Sequence, residues 1–421
     1  MDSKEIIKHF EIASEMYQKL GVNTEKVLQA METIQISLHC WQADDVAGFE
    51  SEGAKLQGGG LAVTGNYPGK ARNIDEVRAD IEKAMSLIPG KQRLNLHASY
   101  GDFKGKPVDR NEISIEHFEG WAQWARENSV SIDFNSTLFS HPKAESGFTL
   151  SSKEDEIRKF WIDHVKKCRE ISNYLGAQQG DTCIHNLWIA DGSKDITIDR
   201  MGHRTLLRQS LDEIYQTEYS ASHMKDALES KLFGIGSEAF VVGSHEFYLG
   251  YVLKNHKIIC IDNGHFHPTE VVGDKISALF QFTDEILLHL TRGMRWDSDH
   301  VVTMNDESIL IAQEIVRSGV LDKVHIGLDF FDASINRIGA YVTGTRAALK
   351  SFLYALLEPT EVLKKHENEG RLFERLALLE ELKSMPFGAV WNYYCYKNNV
   401  PASYDYINEI GQYEKDVTSK R

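Results

Sequence analysis

Short apolar runs alternate with longer stretches of helical period eight times along this 421-residue chain. That pattern predicts an α/β fold closed into a (β/α)8, or TIM, barrel. Two further observations point the same way. No G-x-G-x-x-G follows any run, since Phe233-Gly234-Ile235-Gly236 lacks the third glycine, which disfavours a doubly wound open sheet. No low-complexity tract or Ser/Pro linker divides the chain into separable units.

The eight expected strands cover 36–41, 94–98, 130–134, 184–189, 228–235, 258–262, 286–290 and 324–330. The expected helices between and after them cover 75–88, 114–128, 153–174, 204–219, 245–253, 269–282, 307–317 and 333–357. Both ends depart from the repeat. Residues 4–33 read as an added helical hairpin, and 359–421 as a helix-rich arm that packs on the barrel or on another subunit. The expected division is therefore a barrel unit over 1–358 and an arm over 359–421. After the first strand comes a Gly-rich segment, with Gly58-Gly59-Gly60 and Gly65-Asn66-Tyr67-Pro68-Gly69. It is too long for a passive turn and reads as a lid.

Composition narrows the function. Lys and Arg number 47 against 62 Asp and Glu, a net charge of −15, and the basic residues are scattered. Nucleic acid and anionic membranes are poor partners for such a surface. Five cysteines without a C-x-x-C spacing read as buried, reduced thiols. The first ten residues lack an apolar secretory stretch, and no apolar run reaches membrane-spanning length, so a cytoplasmic location is expected.

In a barrel the side chains at strand C-termini face the reaction cavity, so the run ends decide the chemistry. The fifth run places Glu229 and Lys231 two apart, on one face of a strand. The sixth stops abruptly in Asp262-Asn263-Gly264-His265. The seventh embeds His289 in leucines and is followed by Asp297-Ser298-Asp299. The eighth carries Asp329 on the same face as Gly327 and His325. Taken singly, each feature has a plain structural explanation: a core histidine, a helix cap, a turn, an ion pair. Taken together, four successive strands deliver acids and imidazoles to one rim.

Five carboxylates in one cavity repel by several kcal/mol even at an effective dielectric constant near 20, so cations are required. Two divalent ions with Lys231 balance Glu229, Asp262, Asp297, Asp299 and Asp329. Carboxylates with one imidazole per site and no thiolate suit Mn²⁺, Mg²⁺ or Co²⁺ better than a closed structural zinc. A coherent partition puts Glu229, Asp262, His289 and Asp329 around one ion and His265, Asp297 and Asp299 around the other. Cys260 is left as core. His97 and Trp188, at the ends of earlier strands, suit a small polyol, whose C–H face stacks while its hydroxyls need partners. His39 and Trp41 also end a strand, and Trp41 reads as ordinary barrel core.

The stretches Ser37-Leu38-His39-Cys40-Trp41-Gln42, Gly65-Asn66-Tyr67-Pro68-Gly69-Lys70, Glu229 to Gly236, Asp262 to Glu270, Arg295 to His300 and Gly327 to Ser334 resemble L-rhamnose isomerase. The resemblance spans essentially the whole chain. It implies a (β/α)8 barrel with a C-terminal helical arm, a homotetramer, and Mn²⁺-dependent isomerisation of L-rhamnose to L-rhamnulose, with Co²⁺, Zn²⁺ or Mg²⁺ as alternatives at one of two sites. The structural metal of the family falls on Glu229, Asp262, His289 and Asp329, and the catalytic metal on His265, Asp297 and Asp299. Lys231, Trp188 and His97 fall on substrate-contacting positions.

Two routes move the hydrogen between C1 and C2: a metal-assisted hydride shift, or proton abstraction through an enediol. Similarity of ligand layout to xylose isomerase favours the hydride shift. A sugar isomerase of other preference, a metal-dependent hydrolase or endonuclease on the same barrel, and a noncatalytic sugar-binding protein are the competing classes. The acidic charge disfavours the nuclease, and mere binding does not account for five acids at one rim.

Overall fold

The computed structural model describes residues 2–50 and 63–421. Eight parallel strands close a barrel in sequence order: β1 (Ile36–His39), β2 (Arg93–His97), β3 (Ser131–Asn135), β4 (Cys183–Trp188), β5 (Met224–Glu229), β6 (Ile258–Asp262), β7 (Ile286–Leu290) and β8 (Val324–Leu328). Closure is made where Ile36 pairs with Ile326 and Ser37 with Gly327. The expected (β/α)8 barrel is the fold, and helices follow the strands as crossover connections require.

Seven strands fall within a residue or two of expectation, and β5 does not. The run over 228–235 overlaps only the last two residues of the strand, which begins four residues earlier at Met224. Lys225 and Asp226 hide the strand from an apolar count, because both charges are compensated inside the fold. Asp226 meets Arg169 Nε at 2.9 Å and Lys257 Nζ at 3.0 Å, and Lys225 meets Glu285 at 2.7 Å. The apolar residues that follow are not strand either; Phe233 and Ile235 are about half exposed. Lys231 therefore lies in the loop after β5, not beside Glu229 on a strand face. An antiparallel ribbon, Gly192–Ser193 with Phe240–Val241, joins the loops after β4 and β5 and was not expected from the sequence.

Inside the barrel, the two-residue period of the strands stacks layers. Ile184, Ala227, Ile258, Cys260 and Leu287 form a buried apolar cluster. Two residues further along the same faces stand Asn186, Glu229, Asp262 and His289. The apolar plug thus carries the polar layer above it. His289 fits because its strand neighbour is Gly327, where a Cβ would stand 3.0 Å from His289 Cδ2.

The N-terminal helices Ser3–Gln18 and Thr24–Met31 form the expected hairpin, and Phe10 stacks on Tyr393 at 3.8 Å. Residues 359–421 fold as helices Thr360–Asn368, Leu372–Leu382, Phe387–Lys397 and Tyr406–Asp416. Arg346, buried in the helix Arg337–Leu356, donates to Leu87 O at 2.9 Å and Pro401 O at 3.1 Å, and lies over the rings of Trp391 and Tyr406. Among the described residues, no helix is long and apolar enough to cross a membrane.

Candidate metal centre

Glu229 and Asp262 are the last residues of β5 and β6, His289 is the penultimate residue of β7, and Asp329 follows β8 directly. Register brings them level: Asp262 pairs with His289, and His289 with Gly327. Each of the four offers a donor atom, and these atoms lie within 4.8 Å of one another. His289 Nδ1 stands 3.4 Å from Glu229 Oε1, 3.6 Å from Asp329 Oδ2 and 4.0 Å from Asp262 Oδ2. Two neighbours orient the acids. Asn186 Nδ2 donates to Glu229 Oε2 at 2.5 Å, and the Gly264 amide donates to Asp262 Oδ1 at 2.6 Å.

The second expected set comes from loops. Asn263 ties the turn after β6 to the chain after β7, accepting from the Thr291 amide at 2.8 Å and donating to Thr291 O at 2.9 Å. The stretch carrying Asp297 and Asp299 is closed at its base by an antiparallel bridge between Arg292 and His300. His265 Nε2 lies 3.2 Å from Asp297 Oδ2, and its Nδ1 lies 3.2 Å from Glu229 Oε1. Asp299 has a left-handed φ of +45°, an uncommon backbone state that this loop imposes. His265, Asp297 and Asp299 all line the cavity. Among the described residues they do not form a shell as tight as the first four.

The remaining expected residues share that cavity of about 440 Å³. Lys231 Nζ sits 5.6 Å from the Trp188 ring centre, and Trp188 stacks parallel to His265. His97 Nδ1 is hydrogen-bonded to Thr137 Oγ1 at 3.0 Å, while its Nε2 is buried without a partner. Trp41 also lines the cavity, 4.3 Å from His97 between ring centres, where core packing was expected. The cause is local: Cys40–Gln42 makes a 3-10 turn, and the indole Nε1 donates to Phe330 O at 3.1 Å. His39 is fully buried behind it, with an edge-on contact to Phe330 at 4.5 Å. His325 sits at the opposite mouth of the barrel, 2.8 Å from Glu285.

Protein groups alone do not satisfy this polar layer. Glu229 Oε1, Asp262 Oδ2, Asp297 Oδ1, His265 Nδ1 and His289 Nδ1 are buried without a hydrogen-bond partner. Burial pushes the Asp262 carboxyl well up, and Asp329 and Glu229 push it further against the pull of His265. Burial likewise raises Asp299, with Asp297 and Asp329 adding to it. His265 is raised although burial lowers it, because Asp297 and Asp262 outweigh that penalty. Burial opposes the Glu229 charge as well, yet His289 and His265 hold its carboxyl low. Such a layer is acid-rich, desolvated and short of positive charge, and it presents oxygen and imidazole donors in one shell. These residues fit divalent cations of the Mn²⁺ and Mg²⁺ class. Cys260 also lies within reach of Glu229 and His289. Its thiol is pushed up to about 12 by burial, so it stays protonated and is a poor ligand.

Comparison with known proteins settles the family, for the L-rhamnose isomerase (RhaA) model matches residues 4–421. The chain belongs to the L-rhamnose isomerase family. The L-rhamnose isomerase of Rhodopirellula baltica is 58% identical over 99% of this chain and 97% of its own length. That of Bacteroides thetaiotaomicron is 56% identical over the full length of both. Among solved structures, an L-ribulose 3-epimerase overlays with a TM-score of 0.47 at 11% identity, covering 79% of this chain and 97% of that one. Within this L-rhamnose isomerase family chain, the cavity holds further residues that sequence reasoning passed over. Asn186, Asn135, Phe139 and Trp296 line it. Asn186 was accessible from the sequence, since it shares a strand face with Trp188. Phe139 and Trp296 lie on loops, where no period indicates direction.

Proposed function

We propose that this chain interconverts L-rhamnose and L-rhamnulose with Mn²⁺ as the native ion, two per subunit. The single observation that carries the reading is the polar layer itself. The ends of four strands bring carboxylate and imidazole atoms into one shell, those of Glu229, Asp262 and His289 without a hydrogen-bond partner, beside the aromatic side chains of the cavity. Family membership names the sugar.

Bound divalent ions supply Lewis acidity, polarising the carbonyl and stabilising the developing alkoxide. Glu229, Asp262, His289 and Asp329 would hold one ion and His265, Asp297 and Asp299 the other. The chain does the rest. The C–H face of the open-chain sugar stacks on Trp188, and His97 Nε2 and the Lys231 ammonium bind substrate oxygens. The Asp299 carboxylate accepts the proton of the C2 hydroxyl. The hydrogen on C2 then moves with its electron pair to C1, so C2 becomes the carbonyl carbon and O1 takes up a proton. The walls of Trp41, Phe139 and Trp188 keep water from the migrating hydrogen. A soluble cytoplasmic homotetramer is the assembly we assign.

Ketose formation from L-rhamnose, assayed on metal-stripped protein before and after adding Mn²⁺, tests the function. Full activity in chelated buffer overturns it. Reaction in D₂O tests the route: the C1 position of the ketose stays free of deuterium in a hydride shift and is labelled through an enediol.

A further inference from the structure

Residues 63–72 have no helix or strand of their own, and Thr64 lines the cavity. A segment of this kind has no ladder of hydrogen bonds, so its position depends on what ties it down. On its inner side it lies on the loop after β8. Gly65, at φ +115°, is so close that a Cβ would stand 2.4 Å from Ala333 C, and the Tyr67 amide donates to Ala333 O at 2.7 Å. Arg337 donates to Pro68 O at 3.0 Å while holding Asp45 at 2.8 and 2.7 Å, next to the cavity-lining Val46.

On its outer side the same segment meets the last residues of the chain. Tyr67 Oη donates to Glu414. Gly69, at φ +83°, passes so near Thr418 that a Cβ would stand 2.5 Å from Thr418 O. Arg421 Nη1 donates to Gly69 O at 3.1 Å, and its two Nη atoms grip both oxygens of Asp80 at 2.7 Å each. Tyr413 Oη adds a third bond to that carboxylate at 2.8 Å. The Arg421 and Asp80 side chains are 4% and 1% exposed, so this fork is a dry, bidentate pair of fixed geometry rather than a loose surface contact.

We propose that Glu414, Thr418 and Arg421 form an outer clamp that sets the 64–71 segment over the sugar cavity, making Arg421 a positioning residue for substrate. The clamp touches none of the candidate metal ligands. Its contribution is to order the segment before the sugar arrives, so that this cost is not met at binding. The inference rests on the isomerase reading for its substrate but not for its geometry.

The test uses the full Mn²⁺-loaded chain and two readouts. Arg421→Ala should raise KM for L-rhamnose about tenfold with kcat within about twofold. Bound Mn²⁺ should be unchanged, and amide exchange over 64–71 should quicken. Arg421→Lys, which keeps the charge and loses the fork, should fall between. If Arg421→Ala does not fold, Tyr67→Phe cuts the tie to Glu414 and should give a smaller rise in KM with the same faster exchange. Unchanged KM and unchanged exchange overturn the clamp, as does a parallel fall in kcat and metal content. Exchange needs no sugar. Faster exchange in the variant, with no rhamnose turnover in the parent, upholds the clamp and faults the isomerase reading.

Discussion

Glu229 accepts a hydrogen bond from a neutral amide on one oxygen, while the other faces the His265 and His289 imidazoles without a hydrogen bond. That asymmetry sorts the residues around the cavity by consequence. Asn186 touches no expected ion but fixes the rotamer of a candidate ligand. Asn186→Ala should cost about tenfold to hundredfold in Mn²⁺ affinity or activity while far-ultraviolet circular dichroism stays unchanged. Asp299→Ala should abolish turnover and leave the fold intact, which calorimetry and an activity assay separate. The buried acids also predict a ligand effect on stability. Mn²⁺ at one hundred times its dissociation constant should stabilise the native state by about 2.7 kcal/mol, seen as a higher thermal midpoint. In Glu229→Ala the rise should shrink, since one shell is broken.

At the scale of elements, the barrel separates two kinds of buried charge by depth along its strands. The C-terminal ends carry acids with buried oxygens left without a hydrogen bond, and the N-terminal ends carry compensated ones. Asp226 on β5 is held low by His185 and Arg169 despite burial, and Arg169 forms a 2.9 and 3.0 Å fork with it. Breaking such a pair costs about 3–5 kcal/mol, so this end is structural. Glu285, just before β7, gives the pH-dependent case. The hydrogen bond from His325 lowers its pKa from 4.5 to about 2, against burial and with help from Lys225. Because the folded value is depressed, its stabilising contribution is fully present above 4.5 and is lost as pH falls toward 2. The gap in urea midpoint between the parent and Glu285→Gln should therefore close across that range. A gap that persists at the acid end would refute the assignment.

For the molecule as a whole, the arm over 359–421 does more than cap the barrel. Its inner helices pack on the N-terminal hairpin and on Arg346, whereas the helix Leu372–Leu382 turns Leu372, Phe373 and Leu376 outward at 54%, 77% and 65% exposure. Apolar side chains grouped in this way mark an interface more often than a free surface. Under the tetrameric reading, Phe373→Glu should shift the sedimentation coefficient toward a smaller species with the chain still folded. An unchanged sedimentation coefficient would place the interface elsewhere. The net charge of −15 makes separate molecules repel one another in solution.

The sequence by itself determined the barrel and most of the polar residues that line the cavity at the C-terminal ends of its strands. Alternating periods prescribe βαβ units, and an abrupt change from apolar to acidic residues marks a strand end whatever its neighbours do. It misplaced β5, because Lys225 and Asp226 look like loop until Glu285, Arg169 and Lys257 arrive from distant positions to neutralise them. It assigned Trp41 to the core, because the direction of a side chain on a short 3-10 turn is set by the Phe330 carbonyl it meets. The glycines Gly58, Gly59 and Gly60 of the expected lid lie outside the described residues, while Gly65 and Gly69 belong to a segment pinned on both sides. Only tertiary structure decided that Arg421 stands beside Gly69, or how near to one another the four expected donor atoms lie. Such proximities depend on register, barrel closure and helix docking, which are long-range properties with no local period to announce them.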